Sequence, residues 1–168
     1  NQDRCVGCLA CEQVCPAEAI AHRDIIEETA DGHKQAKRVL IHYTDTCIFC
    51  GQCEAACIAD HEGIKSSQEW DLAFFDRSQA FETIEKELEL CELCGAVVGC
   101  TDHLAWIGQQ VGELSYANPT LYLAHQKQLG LINTDMPNMF AALNNRADRF
   151  KILCARCRRQ TTLTTRER

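Results

Sequence analysis

The stretch CVGCLACEQVCP at residues 5–16 decides the fold of this chain, and CIFCGQCEAACI at residues 47–58 repeats it 42 positions later. Both copies have the spacing C-x₂-C-x₂-C-x₃-C. The first copy ends in Pro16 and the second in Ile58. Because all four sulfurs are present in each copy, we interpret Ile58 as a change in the backbone support that leaves the ligands intact.

The repeated spacing is typical of proteins that hold two cubane clusters. Three thiolates from one motif surround a [4Fe–4S] cluster, and the fourth cysteine ligates the other cluster in two-cluster ferredoxins. Each motif is then incomplete alone, which explains why the chain carries two. We predict one cluster held by Cys5, Cys8, Cys11 and Cys57, and a second held by Cys47, Cys50, Cys53 and Cys15.

The other cysteines form a second kind of metal motif. The chain has 13 cysteines, and an odd number at tight C-x₂-C spacing favours metal ligation over a disulfide scaffold. The pairs in CELCG (91–95) and CARCR (154–158) have the knuckle form. We predict that Cys91, Cys94, Cys154 and Cys157 share one mononuclear Zn or Fe ion, in a closed Cys₄ site. Cys100 remains, and we expect a buried thiol that could substitute for one of these ligands.

Charge and composition limit the classes of function. The formal net charge of −7 argues against a nucleic-acid-binding surface. No run of 18 apolar residues is present, so we expect no transmembrane span in this chain. No group of residues suggests proton transfer or nucleophilic attack, so we expect no catalytic residues. A different class of function, a zinc-knuckle interaction module, would account only for the four knuckle cysteines.

The repeated cysteine motifs, together with the apolar patterns between and after them, predict an α+β fold: a bacterial-type two-[4Fe–4S] ferredoxin core with a helical C-terminal extension that the Cys₄ knuckle closes. We divide the chain into a ferredoxin domain at 1–66 and a helical extension at 67–168. Apolar runs predict a hairpin of two short strands, with its turn at 30–32. Helical spacing predicts four helices in the extension, at about 76–90, from 102 to about 114, 120–129 and 135–149.

Three stretches carry a resemblance to a known family: CIFCGQCEAAC (47–57), SSQEWDLAFF (66–75) and CARCRRQ (154–160). The chain resembles the ferredoxin-like subunit of formate hydrogenlyase and of other group 4 membrane-bound [NiFe] hydrogenases. That subunit is related to the two-cluster iron–sulfur subunit of respiratory complex I, chain I. The segment 102–149 has no motif to match.

The resemblance implies a subunit that relays single electrons rather than an enzyme by itself. Its expected partners are a [NiFe] hydrogenase module and an electron-donor iron–sulfur subunit, with formate dehydrogenase as one possible donor. It also implies a cytoplasmic protein, held peripherally at the cytoplasmic membrane by partner subunits. Two alternatives remain open: the iron–sulfur subunit of a complex I-type quinone reductase, and a free ferredoxin, which would explain residues 1–66.

Overall fold

A computed structural model describes residues 1–28, 34–68, 73–132 and 151–164. The chain forms two compact units, Asn1–Glu87 and Leu88–Arg168. The sequence analysis placed a domain boundary after residue 66, at the end of the domain that carries the two cysteine motifs. That boundary stays a prediction.

The first unit is built on antiparallel strands. It contains helix α1 (Ala10–Gln13), strand β1 (Ile20–Glu28), strand β2 (Lys34–Tyr43), helix α2 (Gln52–Ala55), a 3₁₀ helix (Arg77–Gln79) and most of strand β3 (Phe81–Leu90). β1 pairs with β2, and β2 pairs with β3. The predicted hairpin is therefore confirmed and is longer than expected; its predicted turn at 30–32 lies outside the described residues.

One face of these strands is formed by even-numbered residues, because residues directly opposite each other on paired strands share a face. Across the three strands, Ile20 lies opposite His42, and Leu40 lies opposite Ile84. Ile20 and Leu40 are buried, at 6% exposure each. This face therefore supplies the apolar floor on which the cysteine motifs pack.

The helix predicted at 76–90 is wrong. Asp76 caps only a single 3₁₀ turn, accepting a hydrogen bond from the Ser78 N–H at 2.9 Å, and β3 follows. Ile84 and Leu88 suggested helical spacing, but residues four apart also share a face of a strand, because four is a multiple of two. Between Ile84 and Leu88 exposure alternates, with exposed glutamates between the covered side chains, as in a half-buried strand.

The second unit begins with the end of β3, which pairs with strand β4 (Val97–Cys100). The elements that follow are helix α3 (Thr101–Val111), a 3₁₀ helix (Gly112–Ala117), helix α4 (Pro119–Gln128) and helix α5 (Ala155–Thr164). The helices predicted from residue 102 and at 120–129 are confirmed as α3 and α4. The helix predicted at 135–149 lies outside the described residues.

The ends of α4 follow the sequence signals closely. The Asn118 side chain accepts hydrogen bonds from the N–H groups of Thr120 and Leu121, which caps the helix. Gly130, at φ +67°, follows the helix in the left-handed conformation that glycine favours.

The apolar side chains of α3 and of the 3₁₀ helix that follows it are only partly covered. Leu114 lies in the 3₁₀ helix rather than in α3, and it is 74% exposed. No residue of α3 itself is buried. These side chains therefore do not form a core of their own.

Among the described residues, no helix is both long and apolar enough to span a membrane.

Candidate iron–sulfur and metal sites

All eight cysteines of the two repeated motifs line one cavity in the first unit. Its volume is about 260 Å³, and its floor includes Ile20, Leu40 and Ile84 from the sheet. The cysteines on its wall are Cys5, Cys8, Cys11, Cys15, Cys47, Cys50, Cys53 and Cys57. A donor set made only of thiols suits iron–sulfur clusters. The residues present therefore fit the cofactors that the spacing predicts.

The two motif loops adopt the same unusual backbone. At the third position of each motif, Gly7 has φ +72° and Phe49 has φ +54°; at the fifth position, Leu9 has φ +68° and Gly51 has φ +74°. Each loop therefore holds one glycine and one bulky residue in the left-handed region. Left-handed backbone in Leu and Phe costs on the order of 1–3 kcal/mol each, so the surrounding structure must hold these loops in place.

This backbone turns N–H groups toward sulfur. The Gly7 N–H donates to Cys5 Sγ at 3.4 Å, and the Phe49 N–H donates to Cys47 Sγ at the same distance. The Ala19 N–H donates to Cys15 Sγ at 3.3 Å. Hydrogen bonds to cluster sulfurs stabilise negative charge and raise a cluster's reduction potential.

Electrostatic interactions cross between the two motifs. Burial raises the pKa of the Cys5 thiol, the Gly7 N–H and the Lys86 charge oppose that rise, and the Cys8 and Cys57 thiolates add to it. Burial also raises the pKa of Cys53. Hydrogen bonds from two backbone N–H groups lower this pKa, and the negative charges of Cys47 and Cys15 raise it.

A glycine lies against the pair that crosses. A Cβ built on Gly63 would lie 3.0 Å from Cys57 Sγ and 3.3 Å from Cys5 Cα. Cys57 therefore lies beside the first motif. These contacts support the crossed ligand sets, which remain a prediction.

The two loops differ in exposure. In the first, Gly7 is buried and Val6 is half-buried. In the second, Ile48 is 63% exposed, Phe49 is 61% exposed, and the Cys50 thiol is also exposed. Solvent and any partner protein therefore have the easier approach to the second motif.

Two cationic residues near the first motif were missed by the sequence analysis. Arg38, on β2, donates from Nη1 to the Gly7 carbonyl at 3.1 Å and forms a two-point pair with Asp24 at 2.7 and 2.8 Å. Lys86, on β3, lies directly opposite Arg38. The only signal in the sequence was a charged residue at an inward position of each apolar strand, and it becomes informative only once the strand pairing is known.

The four knuckle thiols come together in the second unit. The Sγ atoms of Cys91, Cys94, Cys154 and Cys157 all lie within 4.8 Å of one another. Cys94 Sγ and Cys154 Sγ are 3.7 Å apart. A tetrahedral ion with metal–sulfur bonds of about 2.3 Å places its sulfurs about 3.8 Å apart. The arrangement therefore fits one Cys₄ ion and supports the predicted ligand set.

Hydrogen bonds hold the two knuckles together across the site. The Glu92 N–H donates to the Ile152 carbonyl at 3.0 Å, and the Ile152 N–H donates to Glu92 Oε1 at 2.7 Å. Thr120 Oγ1 donates to the carbonyl of Leu153, which is 2% exposed and packs with Cys91 and Cys157. Cys100 is fully buried in β4, as expected, and is not one of the four grouped thiols.

The pKa values of two of the four thiols are shifted in opposite directions. Burial raises the pKa of Cys91, but backbone N–H groups of Cys154, Cys94 and Leu93 outweigh it and lower the pKa to about 6. Hydrogen bonding with the Cys94 thiol raises the pKa of Cys157 to about 12, with burial contributing. These backbone N–H groups therefore favour the thiolate form of Cys91, which is the form that binds a metal ion.

Comparison with known proteins agrees with the first unit. Residues 4–61 match the family described as "4Fe-4S dicluster domain". The chain is also 36% identical over 89 residues to "NADH-quinone oxidoreductase subunit I 2" of Geobacter metallireducens. That alignment covers 53% of this chain and 64% of the relative, so the chain spans somewhat less than two thirds of the protein it matches. Residues 4–61 are therefore similar to 4Fe–4S dicluster domains, and the chain is similar over 89 residues to a subunit I of NADH-quinone oxidoreductase.

Proposed function

We propose that this chain is a non-catalytic subunit that relays single electrons through two [4Fe–4S] clusters within a multi-subunit redox complex. The observation that carries the proposal is the single cavity lined by all eight motif cysteines. Clusters bound in one cavity are close neighbours, so an electron that enters at one can pass to the other. The clusters supply the redox chemistry, and the chain holds their ligands, donates N–H groups to sulfur and limits access of water.

The chain's own residues support one site of electron exchange with a partner. The first motif is covered, whereas the exposed loop Ile48–Cys50 leaves the second motif open to a partner. An exposed apolar loop beside a cluster ligand suits transient contact with another redox protein. We propose that electrons pass between this chain and one of its partners through that loop.

Two complexes are candidates. The sequence resemblance favours a relay between an electron-donating module, such as formate dehydrogenase, and a membrane-bound [NiFe] hydrogenase, with the chain held at the cytoplasmic side of the membrane by its partners. The Geobacter relative, named as a subunit of NADH-quinone oxidoreductase, favours a complex I-type quinone reductase. In either case the second unit would provide fixed docking that a free ferredoxin does not need.

One experiment separates these candidates. An affinity-tagged chain is isolated from its native cells with its bound partners, and reduction of its clusters is followed by electron paramagnetic resonance (EPR) under H₂, with formate, or with NADH. Reduction under H₂ or formate supports the hydrogenase assignment, and reduction by NADH supports the quinone reductase. A purified chain that binds no iron beyond its Cys₄ site would overturn the relay itself.

The crossed ligands have a separate test. Cys57→Ser should alter the EPR signal of the cluster held by Cys5, Cys8 and Cys11, although Cys57 belongs to the other motif. Cys15→Ser is the matched variant, and it should alter the other signal. If each substitution instead changes the cluster of its own motif, the crossing is wrong.

For the second unit we propose one Zn or Fe ion in the Cys₄ group, with a structural role. The ion would tie the β3–β4 turn to the start of α5, and binding free energy at such sites contributes directly to folding. Cys154→Ala should release this ion and loosen the second unit while both cubane clusters assemble, because their eight ligands all lie before residue 58.

Elemental analysis and thermal unfolding measure these effects. Cys100→Ala is the control, because Cys100 is a buried cysteine outside the four-thiol group. A single iron would add visible absorption in its oxidised state, which zinc lacks. Full retention of metal in Cys154→Ala would show that the two knuckles do not share an ion.

A further inference from the structure

The hydroxyl group of Thr120 contacts the backbone at the start of the second knuckle, Cys154–Cys157. Thr120 lies in the first turn of α4, and its Oγ1 donates to the Leu153 carbonyl at 2.9 Å. Leu153 immediately precedes Cys154 in sequence. It is 2% exposed and packs with Cys91 and Cys157, two of the four predicted ligands. A side chain on α4 therefore holds the backbone at the point where the second pair of ligands begins.

Arg158 fixes the direction of this hydroxyl group. Its guanidinium Nη2 makes a long contact of 3.5 Å with Thr120 Oγ1 and also donates to the Lys151 carbonyl. Because arginine only donates hydrogen bonds, the Thr120 oxygen accepts from Arg158, and its own proton is left for the Leu153 carbonyl. Arg158 belongs to α5, which also carries Cys157. These contacts therefore tie the segments on both sides of Cys154 to the start of α4.

The peptide group between Leu153 and Cys154 extends the contact to the first knuckle. Its carbonyl accepts from Thr120, and its N–H, which belongs to Cys154, donates to the sulfur of Cys91. Hydrogen bonds in series polarise one another, so the bond at the carbonyl strengthens the bond at the N–H. Through one peptide group, the hydroxyl of Thr120 therefore acts on ligands from both knuckles.

We infer that Thr120 is a positioning residue for the Cys₄ site: its hydroxyl holds the second knuckle in the geometry that binds the metal ion. This inference rests on the ion proposed for the second unit. Ligands that are already held in place lose less conformational freedom when the ion binds. Loss of the hydroxyl would leave the buried Leu153 carbonyl without this partner, so the backbone before Cys154 would be held less firmly.

The test measures the zinc affinity of the full chain with its clusters reconstituted. The chain competes with a chelator of known affinity for Zn²⁺, and bound zinc is measured by elemental analysis. Thr120→Val keeps the size and branching of the side chain but removes the hydroxyl, and it should weaken zinc binding about tenfold. Thr120→Ser keeps the hydroxyl and should restore most of the affinity.

A second measurement separates positioning from a general loss of stability. Zinc that binds the folded chain raises its melting temperature by an amount that depends on the affinity. The quantity to compare is this rise, the difference between the zinc-loaded and the zinc-free chain. A merely structural role of Thr120 would lower both melting temperatures and leave the rise unchanged. Positioning predicts a smaller rise in Thr120→Val and a restored rise in Thr120→Ser.

Thr101→Val is the matched control. Thr101 is the first residue of α3, in the same unit, and its Oγ1 is buried without a hydrogen-bond partner among the described residues. The same change of side chain should therefore leave the zinc affinity and the rise in melting temperature unchanged. Weakening equal to that of Thr120→Val would show that the effect is not specific to the contact with Leu153, and it would overturn the inference.

Three further results would overturn it. The first is an unchanged zinc affinity in Thr120→Val, and the second is a loss in Thr120→Ser as large as that in Thr120→Val. The third is failure of both Thr120→Val and Thr120→Ala to fold, because the hydroxyl would then be needed by the unit itself rather than by the site. Failure of the proposed ion is distinguishable, because the unmodified chain and Cys154→Ala would then hold the same amount of zinc.

Discussion

Gly63 offers a sharp test of how the two motifs meet. A Cβ at this position would lie 3.0 Å from Cys57 Sγ and 3.3 Å from Cys5 Cα, whereas ordinary contacts lie at 3.4–4 Å. The sulfur or the backbone must then move by several tenths of an ångström. Overpacking of this kind costs about 1–3 kcal/mol. If Cys57 completes the first cluster, Gly63→Ala should weaken the retention of that cluster by about 5- to 150-fold.

The assay follows each cluster separately. Reconstituted protein is exposed to an iron chelator, and the EPR signal of each reduced cluster is measured over time. Gly108→Ala is the control, because a Cβ on Gly108 in α3 meets no atom within 4 Å. Alanine there should leave both clusters unchanged and stabilise the helix slightly. Equal loss of both clusters in Gly63→Ala, or selective loss of the one held by Cys47, would refute the reasoning.

Three further predictions concern stability. Hydrogen bonding from Arg38 lowers the pKa of Asp24. The pair therefore stabilises the fold above the ordinary pKa of the carboxyl group, and this contribution is lost as the pH falls through the lowered pKa. Asp24→Asn removes that loss, so the melting temperature of the variant should decline less steeply below about pH 4. Asn118→Ala removes the cap of α4 and should cost about 1 kcal/mol in chemical denaturation, whereas Asn118→Asp should retain most of the stability. Lys127→Met leaves the buried carboxylate of Glu89 without its partner, and should lower the free energy of unfolding by about 1–3 kcal/mol, less than for a fully buried pair because the lysine side chain is exposed to solvent; a loss below about 0.5 kcal/mol would contradict the pairing.

The sequence predicted the 4Fe–4S dicluster domain because cysteine spacing within each motif is a local property. Cys5, Cys8 and Cys11 lie within seven consecutive residues, so this short segment determines which sulfurs can meet, whatever the rest of the fold does. The helix α4 was equally local, since Asn118 and Gly130 mark its two ends within one segment.

The parts that failed depend on distant pairing. Ile84 and Leu88 fit a helix and a strand equally well, and only pairing with β2 selects the strand. The position of Arg38 opposite Lys86 follows from a strand register that joins residues far apart in sequence, which no short pattern specifies.

The Cys₄ group joins two parts of the chain that are made at different times. Cys91 and Cys94 lie in the β3–β4 turn, whereas Cys154 and Cys157 lie at the start of α5. During translation the eight cubane ligands have all emerged once Cys57 leaves the ribosome, but the last knuckle ligand emerges about a hundred residues later. With the proposed ion, loading would follow the order of synthesis, with the clusters first and the knuckle last. A chain released before Cys157 would then keep its electron carriers and lack the metal that marks a finished second unit.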